Sequence, residues 1–176
     1  ICPINGFAEC VGTPTQVSGL PVANDIAAGY WHGVALAQDG TVRIWGNADH
    51  GIGGGQTGLY DKSTPINLGP VAAVATGSLA NYALHTDNTV SSWGGNRHKE
   101  LGSGHDGAAS CTTFSCHTPL PVADIAGVVA IDGGMEVVNT RDAAVALLND
   151  GTVRAWGVNI WGALGIAPAS AGETCN

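Results

Sequence analysis

The chain is poor in charge, in cations and in aromatic residues, and it has no long apolar run. Charged residues make up 11% of its 176 residues and aromatic residues 6%. Only 6 Lys and Arg stand against 14 Asp and Glu, a formal net charge of −8, and the basic residues do not cluster. Binding to a phosphate backbone depends on cationic side chains that release counterions, so nucleic acid is not an expected partner. The longest apolar runs, Ile125 to Ile131 and Ala143 to Leu148, fall well short of the roughly 20 residues a membrane helix needs, so membrane insertion is not expected.

Motifs of chemistry are equally scarce. There is no Gly-x-Ser-x-Gly elbow. The glycine-rich run from Gly51 to Gly58 lacks the Lys-Ser/Thr of a phosphate loop. No acidic stretch has the spacing of a calcium hand. The expectation is therefore a protein that is not an enzyme, with no catalytic residue, no metal and no cofactor.

What the chain does have is 27 glycines and a pattern that occurs three times. The fullest copy runs from Asp150-Gly151-Thr152-Val153 through Trp156-Gly157 and Asn159 to Leu164-Gly165. Weaker copies run from Asp39-Gly40-Thr41-Val42 to Trp45-Gly46 and from Asp87-Asn88-Thr89-Val90 to Trp93-Gly94. Ahead of each lie a Thr-Pro step, a β-branched segment ending at Gly29, Gly77 or Gly134, and an Ala-Leu strand, always in that order. Self-similarity of this kind marks stacked supersecondary units. The units divide the chain into a Cys-bounded loop at 1–12, repeat one at 13–63, repeat two at 64–117 and repeat three at 118–176. Repeat three carries an insertion within Met135 to Asp142.

Each repeat reads as short strands. An Asp-Gly or Asp-Asn flanked by β-branched residues is a strong hairpin signal, and a type I′ turn with positive φ at both central residues is expected at each. An outer strand is expected to follow each Thr-Pro step, because proline is tolerated at a sheet edge. The fold class is then all-β: four-stranded antiparallel sheets set radially as the blades of a β-propeller, three in this chain.

Four of the five cysteines fall at equivalent places of the repeat, Cys10 and Cys116 ahead of a Thr-Pro step, Cys111 and Cys175 after a Leu-Gly step. The simplest pairing is Cys2 with Cys10 and Cys111 with Cys116, leaving Cys175 unpaired or bonded to another molecule. Such staples imply an oxidising location, extracellular or in the cell envelope. Free thiols in a cytosolic protein, or a zinc site from Cys111, Cys116, His117 and His105, are the alternatives.

With Gly-x-x-His at Gly29 to His32, Ala35-Leu36, Asp-Gly-Thr-Val, and Trp-Gly-x-Asn-x-x-Gly-x-Leu-Gly at Trp156 to Gly165, the sequence resembles the regulator of chromosome condensation repeat family. The copies depart from that pattern at Gly53 in place of Leu, Lys99 in place of Gly and Ala80 in place of His, and repeat three lacks the Gly-x-x-His step. The resemblance implies a propeller of about seven blades. Three blades make too small a ring to close. The chain is then expected to be a segment of a larger propeller, or to be completed head to tail by further copies of itself.

Trp45, Trp93 and Trp156 recur beside glycine and are expected to pack between blades, together with Gly29, Gly77 and Gly134 at the strand ends. The resemblance gives His32 a structural hydrogen bond. The binding candidates are residues that break the repeat: Glu136, Arg141 and Asp142 in the insertion, the aromatic pair Tyr30 and Trp31, and Trp161. The function expected is a non-catalytic interaction or assembly module whose partner is another protein or further copies of itself. The alternative, implied by relatives, is a regulator of another enzyme, either an inhibitor or an exchange factor for a small GTPase.

Overall fold

The structure, a computed structural model, describes residues 11–50, 52–54, 58–104, 111–112, 114–134 and 142–167. Among the described residues, regular structure consists of eleven strands and one short 3-10 turn, Ile160–Gly162. The first sheet contains β1 (Ala23–Ala28), β2 (His32–Ala37), β3 (Val42–Asn47) and β4 (Leu59–Ile66). The second contains β5 (Val71–Thr76), β6 (Ala80–His85), β7 (Val90–Gly95) and β8 (Ser115–Pro121). The third contains β9 (Val128–Gly134), β10 (Ala143–Leu148) and β11 (Val153–Gly157) among the described residues. Neighbouring strands are antiparallel and follow chain order. The first strands of the sheets, β1, β5 and β9, pack side by side, so the sheets radiate from them as blades.

The β2–β3 type of hairpin forms as expected, but the turn differs. Gly40 N–H donates to the Ala37 carbonyl at 3.0 Å, and Ala37 N–H donates to the Thr41 carbonyl at 2.9 Å. Only Gly40 has positive φ, at 83°. The loop is thus the three residues Gln38, Asp39 and Gly40, a turn closed by a left-handed residue, rather than the type I′ pair. Asn88 at 66° and Gly151 at 83° fill the same place in the other blades. Asn is tolerated there because its short polar chain accepts the left-handed region. Each Asp faces the Thr two residues on: Asp39 Oδ1 accepts from Thr41 N at 2.9 Å and from Thr41 Oγ1 at 2.6 Å. Asp87 and Asp150 do the same. These bonds hold the three carboxyls below their ordinary range.

The Thr-Pro steps also sit differently. Thr64 and Pro65 lie inside β4, opposite Ile44 and Arg43, and Thr118-Pro119 lies inside β8. They belong to the edge strand itself and do not precede it. The edge still explains them, since β4 and β8 each pair on one side only.

The Trp-Gly step has a backbone cause. Gly94 has φ of 101°, and a Cβ there would lie 2.2 Å from the Leu79 carbonyl oxygen. Gly46 and Gly157 meet the equivalent carbonyls of Trp31 and Asp142 in the same way. The strand shifts register at this step, between Ile44 and Gly46 and between Ser92 and Gly94. Only glycine permits the close approach.

Candidate interaction site

Two seams join the three blades. In the first, Val34, Leu36, Val42 and Ile44 of blade one meet Val74, Leu79 and Trp93 of blade two. In the second, Tyr82, Leu84, Val90 and Leu101 of blade two meet Val128, Ala144, Ala146 and Trp156 around blade three. The polar contacts follow the repeat as well. Trp93 Nε1 donates to the Ile52 carbonyl at 2.9 Å, and Trp156 Nε1 donates to the Glu100 carbonyl at 2.9 Å. Ile52 and Glu100 occupy the same place in their Trp-Gly loops, so each indole locks into the loop of the blade before. Tyr82 OH donates to the same Glu100 oxygen at 2.8 Å and meets Trp156 edge-on. A Cβ on Gly102 would lie 2.7 Å from the Trp156 ring, so the Leu-Gly step leaves room for it.

His32 and Asp142 are further locks. His32 is buried, and its Nε2 is 2.7 Å from Asn81 Oδ1 across the first seam. Burial holds its pKa below the ordinary 6.5. Asp142, a binding candidate by sequence, is buried instead in the second seam. Its Oδ1 accepts from Ser78 N at 2.9 Å and from the Ser78 hydroxyl, and its Oδ2 accepts from Leu79 N at 3.0 Å and Ala80 N at 3.2 Å. Four donors of one turn are satisfied by one carboxylate from the next blade. His85, within β6, is satisfied locally by Ser91 Oγ at 2.8 Å.

Of the other candidates, Trp31 is half-exposed and lies against Tyr30, ring centroids 4.7 Å apart and planes tilted by 37°. Trp161 is 96% exposed in the loop after β11, well apart in the repeat from that pair. Glu136 and Arg141 lie outside the described residues, as do Cys2, Cys10, Cys175 and His105. Cys111 and Cys116 form the expected disulfide, so neither sulfur is left as a zinc ligand. Among the described residues no group of three or more His, Cys, Asp or Glu could hold a metal ion.

Trp31 lines a cleft of about 260 Å³ at the end of the molecule that carries the Trp-Gly loops. Among the described residues, His50 from blade one, Leu79, Gly95, Arg97, Glu100 and Phe114 from blade two, and Asp142 from blade three line it as well. Trp31, Leu79 and Asp142 are one repeat position seen three times: their carbonyls accept from Asn47, Gly95 and Val158 respectively, each at 2.9 Å. Phe114 sits in the turn closed by the Cys111–Cys116 bond, and its carbonyl accepts from Asn96 N at 2.8 Å. The Arg97 guanidinium lies 5.4 Å from the Phe114 ring centroid. Glu100 is buried beside His98, and burial raises its carboxyl pKa. Arg97, Glu100, Phe114 and His50 gave no sequence signal, because they fill variable positions of the motif or the loop after it.

The outer flanks copy the seams without a partner among the described residues. Leu36 and Leu84 are each 4% exposed, whereas the equivalent Leu147 is 41% exposed. Val42 and Val90 are 1% and 2% exposed, but Val153 is 61% exposed. On the opposite flank Ile26 is 71% exposed, while its equivalent Val74 is 6% exposed.

A family model for the regulator of chromosome condensation (RCC1) repeat matches residues 24–52, the first three strands. The chain is 29% identical over 177 residues to human probable E3 ubiquitin-protein ligase HERC6, covering 94% of this chain and 16% of that protein. It is 29% identical over 168 residues to protein pim1 of Schizosaccharomyces pombe, covering 92% of this chain and 30% of that protein. Its fold is similar to that of Prp20p from Saccharomyces cerevisiae, with a TM-score of 0.71 at 20% identity over 84% of this chain and 36% of Prp20p. It thus spans between about a sixth and a third of the length of these relatives. The repeat match, the relatives and the blade architecture agree: the chain is all-β, its sheets are β-propeller blades, residues 24–52 match the regulator of chromosome condensation repeat, and the chain as a whole is similar to proteins built of that repeat.

Proposed function

We propose that this chain is a non-catalytic module for protein interaction and assembly, a stack of propeller blades that docks further blades at its flanks and presents its Trp-Gly loops to a partner. The observation that carries the reading is the contrast between equivalent positions: Leu36 and Leu84 are buried by a following blade, while Leu147 faces solvent. A flank of Val145, Leu147 and Val153 has the composition of the internal seams and accepts the same kind of surface. The blade that fills it belongs either to a longer array or to another copy joined head to tail.

The similar proteins support a binding role. Prp20p is described with binding properties to Gsp1p and histones, and the yeast protein has been crystallised with Kap60. In HERC6 the matched part is 16% of a probable ubiquitin ligase, so the repeats are one portion of a larger protein there. The Cys111–Cys116 bond supports an extracellular or envelope location for this chain.

The test joins sedimentation velocity over a wide concentration range with affinity capture from the native source. The reading expects mass that rises with concentration, or one specific protein partner that co-purifies. A chain that stays monomeric at every concentration and captures nothing would overturn it. Capture of a single soluble enzyme or GTPase would favour the regulator instead.

A further inference from the structure

We infer that the cleft between Trp31 and Phe114 receives a carboxylate of an acidic, partly apolar segment of the partner protein, held by Arg97. The inference rests on the interaction-module reading and names the chemistry of its partner. Size comes first. At about 260 Å³ the cleft is smaller than the roughly 300–1,000 Å³ of small-molecule sites, and it suits one or two side chains of a protein.

The walls are apolar and set in advance. Trp31 is 50% exposed and rests on Tyr30; Phe114 is 55% exposed on a turn that a disulfide closes. Aromatic residues held in this way lose little freedom on binding, which is how anchor pockets gain affinity.

The polar groups decide the charge of the occupant. Both carboxylates of the cleft already have donors from this chain: Asp142 has the Ser78 to Ala80 turn, and Glu100 has the His98 backbone and ring. A cationic side chain would have to displace those donors and approach Arg97. The Arg97 guanidinium, by contrast, lies over the Phe114 ring and has no hydrogen-bond acceptor among the described residues. An arginine stacked on an aromatic face keeps its planar fork of N–H groups at the edge, where a carboxylate is bound by two parallel bonds. His50 also lines the cleft, and its imidazole carries a ring N–H. With Glu100 and Asp142 already engaged by donors of this chain, the Arg97 guanidinium is the charged group of the lining left to an incoming partner, so an acidic group is favoured beside it.

The experiment pans a random peptide display library on the immobilised chain, then titrates fluorescently labelled synthetic peptides by anisotropy. Selected peptides are expected to carry Asp or Glu beside an aromatic or aliphatic residue. Replacing that acid by Gln, or using Arg97→Gln protein, is expected to weaken binding about tenfold or more, with Arg97→Lys in between. Trp31→Ala is expected to weaken binding too, and Arg154→Gln, on another surface, to leave it unchanged. Free-acid and C-terminally amidated peptides separate a terminal carboxylate from a side-chain one. Far-UV circular dichroism confirms that each variant is folded. Enrichment of basic peptides, no enrichment, or Arg97→Gln binding as well as wild type would each overturn the inference. If affinity capture still returns a partner with Arg97→Gln, the module reading stands and this site alone fails.

Discussion

Trp156 donates its indole N–H to the carbonyl oxygen of Glu100, one blade back, at 2.9 Å. Trp93 stands in the same relation to Ile52. The repeat thus encodes a joint as well as a blade: the residue that closes one hairpin is completed by the loop of its predecessor. Trp45, the first of the series, has no such acceptor among the described residues.

Trp93→Phe keeps most of the ring and removes the donor to Ile52. It should lower the stability of the chain by about 1–3 kcal/mol, from a lost buried hydrogen bond and incomplete filling. Trp45→Phe, with no bond to lose among the described residues, should stay within about 0.5 kcal/mol of wild type. Urea unfolding of the two variants side by side checks the difference.

Asp142→Asn replaces two acceptor oxygens by one and places an amide against the N–H groups of Leu79 and Ala80. The cost should be about 2–3 kcal/mol, because buried donors lose a charged partner. Thermal unfolding reads it, and the loss of amide protection in hydrogen exchange should centre on Ser78 to Ala80.

The blade architecture was legible in the sequence because its landmarks recur in fixed order, and the physical cause of each is local: a glycine at positive φ, an Asp-Thr turn, a proline on an edge. What it did not place is non-local. Asp142 adjoins an insertion with mixed charge and reads as an exposed loop residue, while its donors lie in the Ser78 to Ala80 turn of another blade. Asp-Gly is compatible with two-residue and three-residue hairpin loops, and only the bonding of Ala37 to both Gly40 and Thr41 selects the longer one. Arg97 and Phe114 are ordinary loop residues until the disulfide-closed turn brings them together.

Burial depresses the pKa of His32 below 6.5, so the unfolded chain takes up a proton there before the folded chain does. Stability from this group is complete above pH 6.5 and falls as pH drops from 6.5 through the lowered folded value, with a slope of at most about 1.4 kcal/mol per pH unit. Glu100 acts in the opposite sense: its raised pKa favours the folded state below its ordinary 4.5 and is lost as pH rises through the raised value. The readout is therefore the difference between wild type and His32→Asn. Unfolding free energies measured from pH 8 down to pH 5 should show wild type losing its lead as pH falls.

Charging the open flank should be harmless to the fold and fatal to assembly. Val153→Asp and Leu147→Glu are expected to leave the melting temperature nearly unchanged and to abolish any concentration-dependent mass in sedimentation. Val90→Asp, the same substitution at an internal seam, should cost at least about 3 kcal/mol, because it buries an unpaired charge.

The most direct measurement is deuterium exchange of the five indole N–H groups by NMR, at dilution low enough to keep the chain monomeric. Two signals, Trp93 and Trp156, should exchange slowly, and Trp31, Trp45 and Trp161 should exchange fast. Trp45 protected as strongly as Trp93, or all five exchanging alike, would contradict the picture of three interlocked blades with an open face on each side.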